Sequence, residues 1–250
     1  MAFYKSKNPT LGVDTFTSVS RSVEETETMT ISGTVNKTVL LGLLVFASAG
    51  ITWNRFYSTM DFGSVQGFVM GGAVIGLVLG IVIAFKKTTA PYLAPVYAVA
   101  EGLMLGGISA FMEMTYPGIV LQAVSLTFGV LFGLLALYKM KVIQATENFK
   151  LIVASATMGI GFCYLISFIG RFVGFEMPLI HDSGTFGIVF SLIVVAVAAL
   201  NLVMDFDFIE EGEKVGAPKY MEWYGAFGLM VTLIWLYIEI LRLLSKLRRN

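Results

Sequence analysis

The sequence predicts an all-α membrane protein, a bundle of seven transmembrane helices. Two observations predict it. Of the 250 residues 56% are hydrophobic and only 14% are charged, with a mean hydropathy of +0.80, whereas a soluble domain carries about 25% charged residues. The few charges also gather into short segments that bracket seven long uncharged runs. A bilayer core of about 30 Å takes about 20 apolar residues of helix, and backbone groups surrounded by lipid must pair within their own segment, which makes each run a helix.

Residues 1–37 form a polar segment rich in Ser and Thr, including Glu24-Glu25-Thr26-Glu27-Thr28. Too little of it is apolar to order it by burial. It is expected to be a solvated tail with a short helix near residues 32–37, and residues 38–250 the membrane domain. No basic n-region precedes the first apolar run, so the first span is expected to act as an uncleaved anchor.

The spans then follow in order. Lys37 and Arg55 bracket 17 uncharged residues that end near the interface aromatic Trp53; Asp61 and Lys86 bracket 24. Between Lys87 and Glu113 lie 25 residues broken only by Glu101, and Glu113 and Lys139 bracket another 25 after the turn Tyr116-Pro117-Gly118. Lys150 and Arg171 bracket 20, Asp182 and Asp205 bracket 22, and Glu222 and Arg242 bracket 19, interrupted only by Glu239. Short connections imply antiparallel neighbours. Glycines four apart (Gly72, Gly76 and Gly80; Gly102 and Gly106; Gly129 and Gly133) allow helix backbones to approach closely.

Orientation follows from the Lys/Arg balance. The tail and the even-numbered loops carry 11 basic residues and the opposite side 6, four of them the C-terminal Arg242, Lys246, Arg248 and Arg249. Positive-inside counting places the N-terminus in the cytoplasm. The basic C-terminus conflicts with that unless it lies outside or the last segment is re-entrant. Seven full spans are the preferred reading.

Composition also excludes function classes. The net charge is zero, which gives no basis for nucleic-acid binding. A single cysteine, Cys163, and a single histidine, His181, permit neither an intramolecular disulfide nor an ordinary zinc site. Gly107-Ile108-Ser109-Ala110 only approaches an intramembrane serine-hydrolase motif, and Lys246, the one lysine near the last span, lies past its end. No enzymatic activity and no bound cofactor are expected.

Charge within the membrane is the functional signal. Glu101 falls near mid-depth, Asp205 ends the sixth run, and Glu239 lies in the seventh beside Arg242, three residues on and on the same face. Asp205 and Asp207 are two apart and point about 200° away from each other. Asp205 is therefore the inward acid, and Asp207, with Glu210 and Glu211, belongs to the solvated mouth.

The residues that carry a family likeness are Asn8-Pro9, Met29-Thr30-Ile31 leading to Val35-Asn36-Lys37-Thr38, and Ala100-Glu101-Gly102-Leu103. The more specific blocks are Met204-Asp205-Phe206-Asp207-Phe208-Ile209-Glu210 and Glu222-Trp223-Tyr224 through Leu236-Tyr237-Ile238-Glu239 to Leu244. On these, covering nearly the whole chain, the sequence resembles the Bax inhibitor family (transmembrane Bax inhibitor motif proteins), in particular a bacterial branch with a long polar N-terminal tail. The resemblance implies a central helix wrapped by six others, pH-sensitive calcium leak across membranes and, in eukaryotes, suppression of cell death. It implies a location in the bacterial inner (plasma) membrane. In bacterial members it implies a proton-sensitive latch of two aspartates on the sixth and seventh helices. The first matches Asp205. The second falls on Thr232, which is not an acid, and the basic group that pairs with the latch has only a loose counterpart in Lys86 or Lys87.

The expected function is therefore a cation leak, with calcium as the ion because hard cations take oxygen ligands. Its pathway is expected to be lined by Glu101 and Asp205, partnered with each other and possible ligands for Ca2+, with Glu239 towards the outer end. A proton shared between such carboxylates would couple conduction to pH. The alternative is a non-conducting membrane regulator that binds partner proteins, such as a membrane protease or death-pathway proteins, through the tail and the acidic sixth loop.

Overall fold

The computed structural model describes residues 28–172 and 184–249. The tail expectations for residues 1–27 and the loop pair His181-Asp182 lie outside the described residues. Among the described residues there are seven helices, each long and apolar enough to cross a membrane. They are α1 (Ile31–Thr59), α2 (Gly63–Phe85), α3 (Ala90–Thr115, entered through a 3-10 turn at Lys87–Thr89), α4 (Ile119–Lys139), α5 (Glu147–Phe172), α6 (Thr185–Lys214) and α7 (Met221–Arg249).

The first helix begins earlier than the charge count suggests. Thr30 has extended backbone, and its hydroxyl accepts from the Gly33 amide, an N-cap that starts α1 at Ile31. The short helix expected at residues 32–37 is thus the opening of the first span. At the other end Met60 takes a left-handed conformation and its amide closes on the Phe56 carbonyl. Gly118 (φ 81°) turns the chain into α4, where the Glu113 carboxylate accepts from the amides of Gly118 and Val120 at 2.5 and 2.9 Å. These are two of the amide donors that a helix start leaves unpaired.

The bundle is organised around α7, which packs against α1, α3, α4 and α6. Along it Ala226, Phe227, Met230 and Ile234 face a core shared with α1 and α3, while Leu229, Leu236, Ile240 and Leu241 face a second core with α4 and α6. It runs unbroken for 29 residues, so the last segment is not re-entrant. Because Glu222 at the start of α7 bonds Thr30 at the start of α1, the end of α7 lies at the opposite end of the bundle from the start of α1. Three of its C-terminal cations are engaged within the fold. Arg242 pairs with Glu239, Lys246 donates to the Gly187 carbonyl at 3.0 Å, and Arg248 donates to Pro117 O and Gln122 Oε1.

The glycine stripes divide by environment. A side chain at Gly102 would strike Ser48 and the Val45 backbone, and one at Gly106 would strike Thr52 and the Ala49 backbone, so these two set the close α1–α3 contact. Gly72 and Gly76 play the same part between α2 and α3. Gly129 and Gly133 face open space.

Candidate functional site

Asp205 sits on α6, nine residues before the helix ends at Lys214, and is directed at the middle of α7. Its Oδ1 lies 3.8 Å from where a Cβ on Gly228 would stand, and its carboxyl lies beside the Thr232 hydroxyl. Gly228 lets the acid approach, and Thr232 is four residues further along the same face. The Gly228 carbonyl, 3.2 Å from the same hydroxyl, competes with Asp205 for its single proton. Asp205 Oδ2 is shut off from solvent and has no protein hydrogen-bond partner among the described residues. A half-buried acid with one oxygen both shut off and unpaired is costly, and such groups merit a functional reading.

Glu101 is also buried, but elsewhere. Its carboxylate rests on Gly76 of α2, where any side chain would collide with it, and its polar neighbour is Tyr97, one turn back on α3. No hydrogen bond or ion pair joins Glu101 to Asp205 among the described residues. The expected partnership therefore fails. Position along a helix gives depth, but the face is set by packing, and α3 turns this residue towards α2. Among the described residues no three His, Cys, Asp or Glu side chains gather to hold a metal ion.

Glu239 is fully engaged. It is 2% exposed, accepts from Tyr164 Oη at 2.8 Å and from Arg242 at 3.0 and 3.2 Å, and Arg242 in turn donates to Tyr164 Oη at 2.6 Å. The guanidinium also lies 5.2 Å from the Tyr164 ring centre. This closed triad ties α5 to α7 and has no free ligand to offer a passing ion. Asp207 lies at the rim, as its spacing from Asp205 requires. It pairs with Lys150 of α5 at 2.9 Å, beside Glu210, which takes a 2.6 Å hydrogen bond from Tyr138 and a 2.5 Å ion pair from Lys214. Lys87 stands 5.3 Å from the Tyr224 ring centre, and neither it nor Lys86 reaches Asp205 by a hydrogen bond or ion pair among the described residues.

The polar centre that sequence reasoning missed is Glu222, at the start of α7. It is fully buried and accepts from the Thr30 amide at 3.0 Å, the Thr30 hydroxyl at 2.9 Å and Lys219 at 2.8 Å, with Lys37 as a fourth, close partner. Around it the segment before α1 is clamped to the α6–α7 turn. Met29 N donates to Ala217 O at 2.6 Å, Thr28 bridges Pro218, and the Ile31 amide donates to Glu213 at 2.8 Å. The signal was present as two separated blocks, Met29-Thr30-Ile31 and Glu222-Trp223-Tyr224. Nothing in their spacing shows that they meet.

A family model, Bax inhibitor 1 like, matches residues 8–249. The chain belongs to this family. Neither a search of curated proteins nor one of solved structures found a match. The Bax inhibitor 1 like assignment covers all seven helices, and with them both the unpaired Asp205 and the Glu222 cluster.

Proposed function

We propose that this membrane protein is a pH-sensitive cation leak, with calcium as the expected ion, and that Asp205 is its proton- and cation-responsive group. The observation that carries this reading is the carboxyl of Asp205, set between α6 and α7 with Oδ2 shut off from solvent and unpaired among the described residues. Losing its proton in place would leave an uncompensated charge inside the bundle, which is strongly disfavoured. Deprotonation is therefore tied to a rearrangement that brings water or a cation between α6 and α7. Gly228 and Thr232 line that seam, and Thr232 can turn its hydroxyl oxygen to a cation. A latch of two acids would share a proton across the seam; with Thr232 opposite it, Asp205 responds alone.

Glu101 is a second, separate point of charge, held by Tyr97 and Gly76 on the α2–α3 side. Glu239 leaves the pathway, because Arg242 and Tyr164 already satisfy it. Orientation is part of the same reading. The face with Glu222, Asp207 and most of the lysines is cytoplasmic, in a bacterial inner membrane. The test is calcium flux into vesicles holding the purified chain or its Asp205→Asn variant. Flux that depends on the protein and loses its pH response in the variant supports the reading. Equal pH dependence in both rejects it.

The non-conducting alternative is supported by the Glu222 cluster, which holds the segment just after the polar tail against the α6–α7 turn. Deleting residues 1–27 separates the two. Loss of co-purifying proteins with flux intact favours a partner-binding role.

A further inference from the structure

Between α1 and α4 the bundle opens into a long apolar groove of about 1360 Å³, floored by α7 and α3. The groove is not featureless. About midway along α1 the rings of Phe46 and Phe128 stack across it at 6.4 Å, and Phe132 continues the stack at 6.1 Å. From Ile31 at the mouth to Phe46 is 15 residues, roughly 22 Å of helix. One leaflet with its headgroup layer is about 20–22 Å deep. The half of the groove nearer the Glu222 end thus has the depth of one leaflet, with the stacked rings at its inner end and Val39, Leu131, Leu135 and Leu233 on its walls.

Its mouth is charged and the charges are unevenly used. Asp207, Glu210 and Glu213 line it, and each is engaged: Asp207 with Lys150, Glu210 with Lys214 and Tyr138, Glu213 with the Ile31 amide. Lys139 and Lys141 also line it and form no ion pair among the described residues, although Lys141 is near enough to Glu210 to feel its charge. Two uncommitted cations above an apolar slot one leaflet deep match the chemistry of an anionic amphiphile.

We propose that this groove is a binding site for an anionic phospholipid, its headgroup at Lys139 and Lys141 and one acyl chain lying between α1 and α4 down to the Phe46–Phe128 stack. The proposal does not rest on the Asp205 reading, since none of Asp205, Gly228 and Thr232 lines the groove.

The test uses the full chain, purified in mild detergent and exposed to phosphatidylglycerol or phosphatidylcholine of identical acyl chains, with retained lipid read by native mass spectrometry. Phosphatidylglycerol should be retained at least about tenfold better, since each lysine near a surface attracts anionic lipid. Lys139→Ala with Lys141→Ala should erase that preference. Both lysines are exposed, so their loss should leave the thermal unfolding curve unchanged. Gly42→Leu, at a groove position where only Met230 Cε comes within 4 Å, at 3.8 Å, should fill the slot and reduce retention of both lipids several-fold. Equal retention of the two lipids by the wild type, an undiminished preference in the double-lysine variant, or a dimer in place of the lipid adduct would each overturn the proposal.

Discussion

Glu222 accepts hydrogen bonds from both the amide and the hydroxyl of Thr30, 192 residues earlier in the chain. One carboxylate thereby fixes the N-cap of α1 to the first turn of α7. Because Lys37 and Lys219 converge on the same group, its removal strands two cations as well as two donors. Breaking a deeply buried pair costs about 3–5 kcal/mol. Here Lys219 is half exposed, and the expected loss for Glu222→Ala is nearer about 2 kcal/mol. Glu222→Gln, which can still accept from Thr30, should lose less. Thermal unfolding in detergent checks the order: wild type, then Gln, then Ala.

Tyr164 and Arg242 make the opposite case, an intramembrane acid with a structural task. Tyr164→Phe removes one hydrogen bond to Glu239 and one from Arg242, which predicts a loss of about 1–2 kcal/mol. Cation flux per folded molecule should stay at the wild-type level. A large change in flux with unchanged stability would return Glu239 to the pathway.

The glycines offer a paired comparison. Gly102→Ala and Gly106→Ala drive a methyl into the α1 backbone, and overpacking of this kind costs about 1–3 kcal/mol. Gly129→Ala and Gly133→Ala meet nothing within 4 Å and should be neutral or stabilising by up to about 1 kcal/mol from helix propensity. Unfolding midpoints of the four variants decide it.

Gly76→Ala probes the α2–α3 side. The added methyl would occupy the place of the Glu101 carboxylate, which must then swing away from its seat against α2. Flux should change in the same direction as in Glu101→Gln if Glu101 is a second point of charge. If both variants conduct like the wild type, Glu101 is packing alone.

How much of this was legible in the chain varies with the range of the interaction. The seven spans were, because a run of uncharged residues between charges is a local property that a bilayer reads directly. The separation of Asp205 from Asp207 was also legible, since a two-residue step on a helix puts them on different faces wherever the helix docks. The start of α1 was not, because a lysine at position 37 reads in the sequence as the edge of the membrane. In the fold its ammonium is neutralised by Glu222, and the helix begins at the Thr30 cap. Nor was the direction of Glu101. Its span is apolar nearly all round, so no polar face marks which side meets α2, and the clue was a glycine in another helix, Gly76. The Thr30–Glu222 contact lay beyond reach for a related reason. Both residues look like ordinary polar flanks until the first and last helices are laid side by side.

Calcium flux decides whether Asp205, with Oδ2 shut off and unpaired between α6 and α7, makes conduction respond to protons. Vesicles holding equal amounts of folded wild-type or Asp205→Asn protein would be scanned from mildly acidic to mildly alkaline pH. The account predicts wild-type flux that rises as the carboxyl loses its proton, because the charged form disfavours the closed α6–α7 seam. It predicts a flat, low profile for Asp205→Asn, which stays neutral at every pH. A variant that keeps the wild-type pH profile, or a wild type no leakier than empty vesicles, would contradict it.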